Sequence, residues 1–333
     1  MMAFRRPRVV RSGTGSAHAA ATPRRAAQAA ASLLAGQDSG PVLVGVDGRA
    51  RDWDALEWAA AEAAARQCTL RVVHVINWPS LMPEPFGGVS AAQWDAGAQQ
   101  AAERALSEAA RRARVIAPAL RVTTHLQAGA TAAAIVQEGD RDALIVVGRG
   151  REAGRLRSLT RAVSWQVALH ASCPVAVVGL SGEASRGPSA GRVVVGVGGT
   201  ADPAAALGFA FRAARRRSVG LTVLHAHGPG DPAGLGELAA GNGPGDPAEA
   251  VLRMGRDLFP DVAVRMRDVA GPAGPALVAE SAAAALVVLG SRARGRHRTP
   301  YRSPVRGVLR AARSPVAIAR TPNTERGYWP PGQ

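Results

Sequence analysis

The side chains most able to do chemistry in this chain are arginines, gathered in two stretches. Residues 149–161 hold five Arg and one Glu, and residues 291–310 hold seven Arg and no acid. A guanidinium presents a planar fork of donors that matches phosphate and carboxylate oxygens, so either stretch could form an anion site. They supply 4 and 7, or 11, of the net +16 charges, although such stretches ordinarily serve as solvated faces. Asp47 closes the run Val42-Leu43-Val44-Gly45-Val46-Asp47-Gly48. There its carboxylate can cap a turn or accept a hydrogen bond from a ligand. Gly148 and Gly290 each follow an apolar run, where glycine serves a strand-to-loop bend or admits a close backbone approach. His74 and His225 lie in β-branched runs with no acid or nucleophile recurring beside them, which predicts packing rather than catalysis.

Several chemistries are disfavoured. All 41 basic residues are Arg, so the lysine of a Walker-type phosphate loop is missing. No nucleophile elbow with Ser-His-Asp partners and no metal-ligand spacing is found, and the Arg stretches offer almost no carboxylate to hold a metal or activate water. The expectation is a protein that is not an enzyme. Cys68 and Cys173 are the only cysteines, too few for a disulfide framework, and both are expected to be buried small hydrophobes. No apolar run approaches the ~18 residues of a membrane span and the start lacks a secretory apolar core, which leads to a cytoplasmic expectation. Phe4 is the one aromatic in the basic leader, and Trp53, Trp58, Trp78, Trp94 and Trp165 suit helix-to-sheet packing. Single-strand binders interleave aromatics with basic residues, so nucleic acid is disfavoured as a partner.

These residues must be positioned by a scaffold, and that scaffold is duplicated. Val42-Leu43-Val44-Gly45-Val46 returns 151 positions later as Val193-Val194-Val195-Gly196-Val197, and Leu70–Val75 returns as Leu221–Ala226. The offset falls to 142 at Leu144–Gly148 against Leu286–Gly290, and to 141 at Cys173–Val177 against Ser314–Ile318. Short apolar runs bounded by Gly or Pro alternate with Ala-rich helical stretches, the pattern of buried parallel strands joined by crossover helices. Five strands and four helices fit each copy. Asp202-Pro203 marks one helix start and Asp52 can cap its counterpart. The expected division is an unordered Arg/Ala-rich leader at 1–39, one domain at 40–180, a linker at 181–191, a second domain at 192–320 and a tail at 321–333. Residues 228–247 form a Gly/Pro-rich excursion within the second copy.

The strand ending V-G-V-D-G, a loop opening with Gly148, and the closing Cys173-Pro174-Val175-Ala176-Val177 together resemble the universal stress protein family, in both copies and in the same order. The resemblance implies an α/β class: two flavodoxin-like (adenine nucleotide alpha hydrolase-like) domains, each a five-stranded parallel sheet of order 3-2-1-4-5 with helices on both faces. It further implies paired domains and, in one subgroup, an adenine nucleotide at the strand C-termini, where the strand order reverses.

In nucleotide-binding members the first-strand Asp meets adenine and a G-x2-G-x9-G-[ST] loop wraps the phosphates, with the helix N-terminus favouring anions. On that comparison Asp47 takes the adenine position, Val75 offers a backbone contact and Gly148 opens the loop. Gly150 stands one residue early, Arg151 replaces the second Gly, and Arg161-Ala162 replaces the Gly-Ser pair. The second copy keeps only Gly290 and Ser303, with Gly198 in place of the Asp. The resemblance therefore implies weak ATP binding in the first copy alone, in a stress-response regulator whose halves pair as an intramolecular pseudo-dimer and meet an unidentified protein partner. The alternative is a nucleotide-independent protein docking acidic partners or nucleic acid through the Arg-rich loops.

Overall fold

Apolar runs and Ala-rich stretches alternate along the chain, and each becomes a strand or a helix accordingly. The computed structural model describes residues 31–32, 34, 40–49, 53–77, 91–139, 143–149, 163–179, 191–197, 203–227, 247–291 and 304–320. The first half comprises β1 (Val42–Gly45), α1 (Trp53–Arg66), β2 (Leu70–Ile76), α2 (Ala91–Ile116), β3 (Val122–Ala128), α3 (Thr131–Glu138), β4 (Leu144–Gly148), α4 (Val163–His170) and β5 (Val175–Val178). The second comprises β6 (Val193–Val197), α5 (Pro203–Arg216), β7 (Leu221–His227), α6 (Pro247–Leu258), β8 (Val264–Ala270), α7 (Ala273–Glu280), β9 (Leu286–Ser291), α8 (Pro304–Ala311) and β10 (Val316–Arg320). Among the described residues each half thus has five strands and four helices.

All ten strands form one sheet, in the order β3-β2-β1-β4-β5-β10-β9-β6-β7-β8. Pairing is parallel within each half and antiparallel where β5 meets β10, with Val177, Ala176 and Val175 opposite Val316, Ala317 and Ile318. The halves are therefore related by a pseudo-twofold axis, and their strand C-termini face opposite edges of the sheet.

Covering both faces is what demands continuous apolar strands. Val42, Val44, Leu144 and Val146 join the core beneath α1 and α5, while Leu43, Ile145 and Val147 join the one on the opposite face. Each such fully buried side chain contributes about 1.5–3 kcal/mol. The glycine shared by β1 and β6 serves close helix packing. A Cβ at Gly45 would lie 2.8 Å from Ile135 Cδ1, and one at Gly196 would lie 3.2 Å from Leu277 Cδ1.

Two expectations need correction. Leu34, within the leader expected to be unordered, is helical and fully buried, and Arg212 Nη1 donates to its carbonyl at 3.2 Å. An apolar side chain beside the Ala-rich surface of α5 gains enough burial to be held there. Cys68 is only half-buried, because it follows the end of α1 at the sheet's rim, whereas Cys173 is buried. Trp53, Trp58 and Trp165 do pack against the cores as partly buried residues. Trp78, the side chain of Trp94, Asp52 and Asp202 lie outside what the structure describes, as do residues 181–190, 228–246 and 321–333.

Candidate functional site

Parallel pairing of β1 with β4, Val42 opposite Leu144 and Val44 opposite Val146, brings the C-terminal ends of these strands side by side. Asp47 and Gly148 consequently flank one crevice, at the point where strand order reverses. Val46 N donates to Val73 O at 2.9 Å, which carries the chain past β1 before it turns. The turn is built by Asp47 itself, whose Oδ1 accepts from the Arg49 backbone N–H at 2.9 Å. Gly48 has φ +79°, a conformation costly for other residues, and a Cβ there would lie 2.9 Å from Ala105 Cβ. Asp47 Oδ2 lies 3.7 Å from Arg49 Nη1, and the carboxylate side chain is 42 % exposed. The capping role is thus present and leaves the carboxylate reachable from solvent.

Val75 stands in β2 beside this turn, half-buried against the core. Its neighbour His74 has a buried Nδ1 with no hydrogen-bond partner among the described residues. Burial disfavours the imidazolium and lowers the pKa of His74 below the ordinary 6.5, against the opposing pull of a hydrogen bond to the Val46 backbone and the nearby Asp47 charge. Burial thus favours the neutral form of His74.

Arg149, the first arginine of the basic stretch, does not face the crevice. Its guanidinium lies over Gly179 and donates to Ala312 O and, at 3.5 Å, to Ser314 O, both in the second half. Burial lowers its pKa from the ordinary arginine value. Arg320 makes the reciprocal crossing, donating to Ala168 O. One arginine counted as a candidate anion donor is thus committed to the junction of the halves, a contact between positions too far apart in sequence to be seen there. Gly150, Arg151, Arg161 and Ala162 lie outside the described residues, as do Gly198 and Ser303.

In the second half His225 takes the place of His74, and its Nδ1 lies 3.3 Å from Asp268 Oδ1 on the adjacent strand β8. This acid does not recur in the first half, where Leu126 stands opposite His74. Asp268 corresponds to Leu126 at the offset of 142, and an acid at an otherwise apolar repeat position was the available signal. Glu138 and Glu280 are also equivalent. Glu138 Oε2 lies 3.5 Å from His125 and 3.6 Å from Arg71, and Glu280 lies 3.0 Å from Arg267.

A concavity among the described residues lies elsewhere. An open cleft of about 990 Å³ lies at the N-terminal ends of β1, β2 and β3, lined by Pro41, Cys68, Arg71, Leu120, Arg121 and His125. It lies at the opposite ends of these strands from Asp47 and Gly148. Among the described residues no group of His, Cys, Asp and Glu could hold a metal ion, and no helix is long and apolar enough to cross a membrane.

Comparison with known proteins places this architecture. A universal stress protein of Mycobacterium tuberculosis (strain ATCC 25618 / H37Rv) is 32% identical over 292 residues, which is 84% of this chain and 96% of that protein. A second from the same strain is 32% identical over 138 residues, 41% of this chain and 47% of that protein. The crystal structure of a universal stress protein from Archaeoglobus fulgidus DSM 4304 superposes with a TM-score of 0.64 at 19% identity, covering 87% of this chain and 98% of that one, which shows a shared fold. The model of the family described as universal stress protein family matches residues 39–179 and again 190–320. The chain therefore belongs to the universal stress protein family and carries two of its domains in tandem.

Proposed function

We propose that this protein is a non-catalytic stress-response regulator that holds one adenine nucleotide, ATP, weakly and in the first half alone. The observation that carries this reading is the reachable Asp47 carboxylate beside Gly148 at the strand-order reversal. A carboxylate so placed accepts from the exocyclic amine of adenine, and the Val75 backbone lies on the same side of the sheet. In the second half the repeat position of Asp47 is Gly198, which offers no side-chain acceptor. With the phosphate-loop glycines largely replaced, recognition falls chiefly on the base, and affinity is correspondingly low. Arg151 and Arg161 replace backbone cradling by guanidinium contacts to the phosphates. The nucleotide acts as a signal to an unidentified protein partner.

The test compares ATP with inorganic triphosphate in a thermal shift series on the full chain. At millimolar concentration ATP should raise Tm by a few degrees and triphosphate should do so much less. No shift with ATP would remove the nucleotide. Equal shifts that vanish steeply with salt would move the function to the Arg-rich loops and acidic partners.

A further inference from the structure

A charged cluster that the nucleotide reading does not use lies where α1 and α5 meet across the junction of the halves. The side chains of Glu62 and Arg66, both on α1, are each only 2% exposed. Arg66 Nε donates to Glu62 Oε1 at 2.7 Å. From the second half, Arg216 Nη2 donates to the same oxygen at 2.9 Å and Arg217 Nη2 donates to Oε2 at 2.6 Å. The Arg66 guanidinium lies 5.6 Å from the Phe209 ring centroid, and that of Arg217 lies 5.5 Å from the Trp58 ring.

The duplication shows how lopsided this cluster is. At the offset of 151, Arg66 matches Arg217, Trp58 matches Phe209 and Glu62 matches Ala213. Arg66 and Arg217 are therefore the same position in the two halves. Each stacks on the ring of the opposite half, an attraction between guanidinium charge and ring face, and both grip one carboxylate. The cluster straddles the pseudo-twofold axis, and its acid comes from the first half only.

Two second halves paired in this geometry would bring two copies of Arg216 and two of Arg217 around buried Ala213 with no carboxylate between them. Burying like charges without a counter-charge is strongly unfavourable. Exchanging unlike pairs for like pairs creates one such all-arginine junction for every acid-bearing one, so the exchange as a whole is opposed. A buried ion cluster contributes little net stability relative to apolar packing, and its best-attested use is to fix which surfaces pair. We infer that Glu62 makes the junction selective: the second half pairs with an acid-bearing face, that of its own first half, and is barred from pairing with a second copy of itself.

The experiment is thermal unfolding of the full chain. Glu62→Ala and Glu62→Gln leave three guanidinium groups without their carboxylate, and each should lower Tm by roughly 5–15 °C. Glu62→Ala/Ala213→Glu returns an acid to the axis from the opposite half and should recover at least half of that loss. If Glu62 served only its own helix through Arg66, no recovery from position 213 would follow. A double variant no more stable than Glu62→Ala, or a Glu62→Gln midpoint within about 2 °C of the parent, overturns the inference. Should Glu62→Ala yield no folded chain, a folded double variant is the recovery and an unfolded one overturns it.

Discussion

Glu62 shows how a single residue ties pH to stability in this chain. Burial alone would raise its pKa, but Arg217, Arg66 and Arg216 outweigh burial and hold it at about 2, against an ordinary 4.5. A carboxyl whose folded value is depressed adds stability that is complete above pH 4.5 and is lost as pH falls toward 2, here about 3 kcal/mol in all. Acid titration of Tm should therefore fall less steeply between pH 4.5 and 2 for Glu62→Gln than for the parent, and parallel curves would contradict this assignment. Single residues were unequally legible in the sequence. Asp47 and Gly148 could be found because they sit at the ends of recognisable apolar runs. Glu62 and Arg149 could not, because their partners lie 155 and 165 positions away and only the closed sheet brings them together.

Element boundaries follow local rules, and these carry their own tests. Helices α1 and α5 are each followed within two residues by a left-handed backbone, Gln67 at φ 56° and Ser218 at φ 51°, where neither side chain is at ease. Ser218→Gly and Gln67→Gly should each stabilise the chain by about 0.5–1 kcal/mol in denaturant titrations, because glycine adopts this conformation without a Cβ penalty. At β1 the opposite holds. Gly45→Ala should destabilise by about 1–3 kcal/mol, since the added Cβ enters the space of Ile135. Strands and helices were the most legible level, because buried parallel strands must be continuously apolar and the duplication presents each one twice. What escaped was packing across elements, such as Leu34 settling against the core beside α5, since one apolar residue in an Ala-rich leader has no periodicity to announce it.

At the scale of the whole molecule, antiparallel pairing of β5 with β10 turns two similar domains into one ten-stranded sheet with unlike ends. The strand C-termini of the two halves therefore lie at opposite ends of the sheet. The Arg-rich stretches likewise leave the sheet at opposite edges, after Gly148 and after the strand containing Gly290. The pairing of the halves was legible as an implication of duplication, but which chemistry enforces it was not. One titration counts the nucleotide sites and names the residue that makes them. Isothermal titration of ATP into the full chain should give one site per chain, with affinity reduced at least about tenfold by Asp47→Ala in a variant that keeps its fold, a loss of about 1.4 kcal/mol or more. Two sites per chain, no binding, or binding indifferent to Asp47→Ala would contradict it.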